Sequence, residues 1–119
     1  MQLMSSKALI ENSQFENNSA LISNHGINMI TSTTEVYNST VNFDPKFAEK
    51  LDLKKLDCGF FSMFLGSTLH LAKNSEISNL KALNRAVLCA FSQSNVYVSE
   101  DVRFINNTAE SAIGQTLSM

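Results

Sequence analysis

Ser67-Thr-Leu-His-Leu-Ala-Lys-Asn-Ser-Glu-Ile-Ser-Asn-Leu-Lys-Ala82 lies over Ser94-Asn-Val-Tyr-Val-Ser-Glu-Asp-Val-Arg-Phe-Ile-Asn-Asn-Thr-Ala109 at an offset of 27 residues, without a gap. Leu69 falls on Val96, Leu71 on Val98, Ile77 on Phe104, Asn79 on Asn106 and Ala82 on Ala109. Within each copy, apolar and polar residues alternate over short runs. That is the period of a half-buried strand. The same pattern continues upstream. Glu35-Val-Tyr-Asn-Ser39 resembles Asn95-Val-Tyr-Val-Ser99, and Gln14-Phe-Glu-Asn-Asn-Ser-Ala20 matches Arg103-Phe-Ile-Asn-Asn-Thr-Ala109. A phenylalanine slot then reads Phe15, Phe43, Ile77, Phe104, with steps of 28, 34 and 27. A further slot reads Ile27, Phe61, Val87, Ile113, and a third Val36, Leu69, Val96.

Four copies of about three short strands each, with no room for crossover helices, predict an all-β fold. It is a parallel β-helix of about four coils, roughly 5–32, 33–66, 67–92 and 93–119, in one domain or one segment of a longer one. Right-handed winding follows from the chirality of parallel crossovers. Like residues then stack at about 4.8 Å, and apolar columns fill the interior. Asn17, Asn79 and Asn106 fall at the end of one strand and are expected to face inward as a ladder of stacked amides. An antiparallel sandwich also needs many short strands. It gives no reason for a constant offset, and 1 proline and 4 glycines suit few tight hairpins.

One step is longer by about seven residues, and the surplus lies within residues 44–59. Asp44 suits an N-cap, Pro45 the first helical position and Gly59 the stop. Phe47, Leu51 and Lys54 share one face of such a helix. That face is expected to lie on the coil or to serve as a contact for a partner. An irregular strand with Leu51 and Leu53 inward is the other reading.

Composition narrows the function. The chain has 119 residues, a net charge of −2, and 17% charged residues. This is well under the roughly 25% of average chains. No cluster of basic charge suits phosphates, so nucleic acid is not an expected partner. No apolar run reaches the ~20 residues of a membrane span. The first residues, Met1-Gln-Leu-Met-Ser-Ser-Lys7, lack the form of a secretory leader. The alternating run at 115–119 suggests a piece of a longer chain as readily as a natural end. Asn, Ser and Thr total 36 residues.

Chemistry is sparse. His25 and His70 stand in different columns without metal-spaced partners, so no metal or other cofactor is expected. Cys89 aligns with Met63 and is expected inside as a free thiol, with Cys58 likewise free; a Cys58–Cys89 bridge is the alternative. There is no Gly-x-Ser-x-Gly elbow and no Gly-rich phosphate loop. Glycoside cleavage needs two carboxylates facing one another across ~5–9.5 Å. Glu11, Glu35 and Glu76 do not share a column, and Glu100-Asp101 sits at a turn where the side chains diverge. An enzyme is therefore not expected. Tyr37 and Tyr97, aligned across the repeat on the outward phase, form a candidate sugar platform. Three glycosylation sequons occur at Asn17, Asn38 and Asn106. Asn17 and Asn106 coincide with the ladder and are expected to be unavailable.

Phe15-Glu-Asn-Asn18 and Phe104-Ile-Asn-Asn107 resemble the Phe-x-x-Asn motif of the polymorphic outer-membrane autotransporter repeats. His25-Gly-Ile27, Arg85-Ala-Val87 and Ser111-Ala-Ile113 resemble their Gly-Gly-Ala-Ile motif in degraded form. Protist surface β-helix proteins carry similar repeats. The resemblance implies a non-catalytic structural or adhesive shaft within a larger surface protein, at the cell surface or outside the cell. Its expected partners are further coils or chains at the ends. The alternatives are a carbohydrate-binding or carbohydrate-cleaving, pectate-lyase-like helix, and a small architectural subunit of a large complex.

Overall fold

The computed structural model describes residues 1–17, 26–44, 46, 60–82, 85–109 and 115–118. Three parallel sheets wind into a right-handed β-helix. The first holds β1 (Gln2–Met4), β4 (Ile27–Ile30), β7 (Phe61–Phe64), β11 (Arg85–Ala90) and β15 (Gln115–Ser118), in that spatial order. The second holds β2 (Lys7–Glu11), β5 (Thr33–Tyr37), β8 (Thr68–Ala72) and β12 (Asn95–Val98). The third holds β3 (Gln14–Glu16), β6 (Thr40–Asn42), β9 (Glu76–Ser78) and β13 (Arg103–Ile105). A short pair, β10 (Lys81–Ala82) and β14 (Thr108–Ala109), sets Ala82 under Ala109 as the repeat predicts.

Alternate side chains point inward and stack by rung. Phe15, Val41, Ile77 and Phe104 form one column. Ile10, Val36, Leu71 and Val98 form another. Leu3, Met29, Met63 and Ala90 line the first sheet, beside Ile27, Phe61 and Leu88. In the middle rungs these residues are almost wholly buried. Gly26 is required here for space. A Cβ would meet the Phe60 ring at 2.5 Å.

Three expected columns are displaced. Val36 lies under Leu71 and Val98, two residues from its expected place beside Val96. Thr34 takes the slot below Leu69, buried, with its hydroxyl donating to Met29 Sδ at 3.2 Å. Val41, not Phe43, stands between Phe15 and Ile77. Leu88, not Val87, covers Phe61 in the pairing of β11 with β7. Ile113 lies outside the described residues. For the columns of Val36 and Val41 the cause is at the corners. Early corners turn on one left-handed residue, Thr31 or Asn38, whereas later ones use two, Leu65-Gly66, Lys73-Asn74 and Ser92-Gln93. Each extra corner residue moves the following strand's register by one without changing its alternation.

The corners are bonded by serine. Ser6 N–H donates to Ser32 Oγ, Ser32 N–H to Ser67 Oγ and Ser67 N–H to Ser94 Oγ, at 3.1, 3.1 and 3.2 Å. A second run joins Ser13, Ser39 and Ser75. Each hydroxyl also donates to a carbonyl two or three residues back. The backbone polar groups that a tight corner removes from water are thus paired.

Asn17, Asn79 and Asn106 are in register but do not face inward. All three occupy left-handed corners at φ 52, 57 and 54°. Asn17 and Asn106 are exposed, and Asn79 is half-buried. Asparagine tolerates this backbone region because its short amide bonds locally. Ladder-like bonding joins other pairs: Asn38 Nδ2 donates to Asn12 Oδ1 at 2.6 Å, and Asn79 Nδ2 to Asn42 Oδ1 at 2.8 Å. Buried Phe43 interrupts the corner column between Asn17 and Asn79.

At the insertion, Asp44 Oδ1 accepts the Lys46 amide at 2.8 Å, as an N-cap does. Phe47, Leu51, Leu53 and Lys54 lie outside the described residues.

Candidate functional site

The outer face of the second sheet carries the most varied chemistry. One outward column runs Leu9, Glu35, His70, Tyr97, and its neighbour runs Glu11, Tyr37, Ala72. Tyr37 and Tyr97 therefore do not stack. The lengthened corners set Tyr97 over His70 instead, with ring centroids 4.9 Å apart and planes 15° from parallel. That separation matches the rung spacing, so the ring faces look along the solenoid axis. An outward platform for a sugar ring is not formed by this pair. Tyr97 keeps one face toward the open end of the sheet, and is 55% exposed.

Tyr37 stands at the border of two shallow grooves. One runs past His70, Tyr97 and Ser99; the other past Glu11, Asn12, Asn38, Lys73 and Asn74. Lys73 Nζ lies 4.6 Å from the Tyr37 ring centroid, a cation–π distance. Burial, and then the carboxylates of Glu35 and Glu11, push the Tyr37 phenol above its ordinary value. The Ser99 hydroxyl, and then backbone amides, hold the Asp101 carboxyl below its usual range. Glu76 is tied to Arg103 at 2.8 Å. Among the described residues no three His, Cys, Asp or Glu converge at metal-binding distance. His25 and Cys58 lie outside them.

Cys89 corrects two expectations. It stands in the outward column over Ser62, not in the inward one over Met63, because Val87 and Leu88 are both packed before it. It is also disulfide-bonded, and the sequence holds one other cysteine, Cys58. Ser62 and Cys89 are buried on the face that would otherwise meet water. Beside them runs an apolar column of Met4, Ile30, Phe64 and Phe91, in which the two phenylalanine rings stack at 5.3 Å.

The ends of the helix form the other notable feature. Along one inward column Val36 is 3% and Leu71 1% exposed, but Val98 is 43% exposed. Half-buried Val96, Val102 and Phe104 share this end with it. The first sheet has five strands and the second and third have four. β15 therefore begins a rung that, among the described residues, the other two sheets do not complete. Alternation alone does not reveal this step.

No family model, no curated protein and no solved structure matches the chain. What its own geometry establishes is a generic right-handed parallel β-helix.

Proposed function

We propose that the chain is a non-catalytic structural β-solenoid segment, adhesin-like, whose open end is continued by further coils or by a partner's strands. The observation that carries this reading is the half-exposed Val98 above buried Leu71, beside strand edges on β12 and β13. An uncovered parallel edge with an apolar interior behind it is a template for strand addition. Placement outside the reducing cytosol fits the disulfide at Cys89. Light scattering tests the reading. Concentration-dependent association is expected, and Val98→Lys should reduce it. A monodisperse monomer at high concentration, unchanged by V98K, rejects end-on continuation.

A second reading rests on the grooves beside Tyr37, whose tyrosine, amides and carboxylate suit a neutral saccharide. Glycan-array binding lost in Tyr37→Ala supports it; no glycan retained by the wild type sinks it. A partner contact through Phe47, Leu51 and Lys54 is a third proposal, tested by co-purification after deleting residues 44–59: loss of co-purification supports it and unchanged co-purification rejects it. Among the described residues no helix is long and apolar enough to cross a membrane.

A further inference from the structure

We propose that Asn106 and Asn38 are acceptors for N-linked oligosaccharide. Both begin an Asn-x-Thr sequon, Asn106-Asn-Thr108 and Asn38-Ser-Thr40. Inward-facing asparagines would be useless as acceptors, but both of these are exposed on outer corners at φ 54 and 49°. The neighbouring residue anchors each turn, so the asparagine itself need not. Asn107 accepts the Leu80 amide at 3.0 Å and donates to the Ile77 carbonyl at 2.9 Å. Ser39 is buried in the serine ladder. Asn38 uses one amide hydrogen on Asn12. A glycosylated carboxamide keeps one N–H, so that bond survives modification. Corners point away from the axis, and a glycan there clears the strand edges at the ends.

The disulfide at Cys89 is the independent observation. Disulfides form and persist in the oxidising compartments of the secretory route. Transfer to sequons takes place on the same route. In the transfer step the carboxamide nitrogen attacks the anomeric carbon of a lipid-diphosphate-linked oligosaccharide. The N–C bond forms, the C–O bond to diphosphate breaks, the lipid diphosphate leaves and one amide proton is released. The proposal stands whether or not the helix ends are continued.

The test is to secrete the whole chain from a eukaryotic cell behind a cleavable leader. Peptide N-glycosidase treatment in heavy-oxygen water then marks each formerly glycosylated asparagine as labelled aspartate. Label is expected at Asn106 and Asn38. Thr108→Ala should remove the first label alone and Thr40→Ala the second alone, which leaves both asparagines and their backbone geometry in place. Secreted, disulfide-bonded protein with neither site labelled overturns the proposal. If secretion fails, translation with microsomes reads acceptor use before folding. Two sequon-dependent mass steps, lost one at a time in the same variants, support the proposal; their absence overturns it.

Discussion

Serine shows how much one hydroxyl's surroundings decide. Ser67 Oγ accepts the Ser32 amide and donates to the Phe64 carbonyl; removing it strands the buried Ser32 amide, while the Phe64 carbonyl keeps the Thr31 amide at 3.1 Å. Ser67→Ala should cost about 1–3 kcal/mol, the penalty for an unsatisfied buried polar group. Ser62 is just as buried, but among the described residues its hydroxyl has no hydrogen-bond partner. Ser62→Ala should therefore be neutral or stabilising by up to about 1 kcal/mol, since a desolvated hydroxyl is released from its penalty. Denaturant unfolding of the two variants checks both. Equal destabilisation would show that volume matters here more than hydrogen bonding. Neither serine's role can be read from a chain with 36 Asn, Ser and Thr residues, because composition does not distinguish a ladder rung from an idle hydroxyl.

Strands were legible where apolar and polar residues alternate, and the 27-residue offset between β8 and β12 holds residue for residue. Corners were not. The difference between one left-handed residue at Thr31 and two at Leu65-Gly66 leaves no trace in hydropathy, yet it shifts the second-sheet strands that follow and so decides which side chains stack. That is why Tyr97 meets His70 and not Tyr37, and why the candidate platform was misread while the fold was not. The placement of Cys89 was missed for a related reason, since consecutive buried residues in β11 break the alternation. Position along the stack also sets the value of a side chain. Leu71 is enclosed by a rung on either side, whereas Val98 is covered from below. Leu71→Ala should cost about 2–5 kcal/mol, as a buried truncation does. Val98→Ala should cost under about 1 kcal/mol, because nearly half of its surface already meets water. Comparable losses in urea titrations would mean that the end is covered in solution.

At the scale of the whole molecule, stability is a sum over rungs and the contacts between neighbours. Interior rungs have two neighbours and end rungs have one, so protection should fall toward both ends. Hydrogen exchange should be slowest in β7 and β8, and faster in β1, β12 and β13. The disulfide modifies that profile. Cys89 is disulfide-bonded, and a bond that closes a loop of a few tens of residues is worth about 3–4 kcal/mol by chain entropy. Because Cys89 lies in β11, directly over β7, reduction should raise exchange first in these two strands of the first sheet. The serine-laddered corners between the first two sheets do not depend on that bond and should keep their protection longer. Exchange measured with and without reductant, read strand by strand, separates two kinds of stability. Loss confined to β7 and β11 means that the bond holds one face of a helix whose rungs are otherwise self-sufficient. Uniform loss across all three sheets would mean that the rungs fold as one unit and that the nearest-neighbour account is wrong.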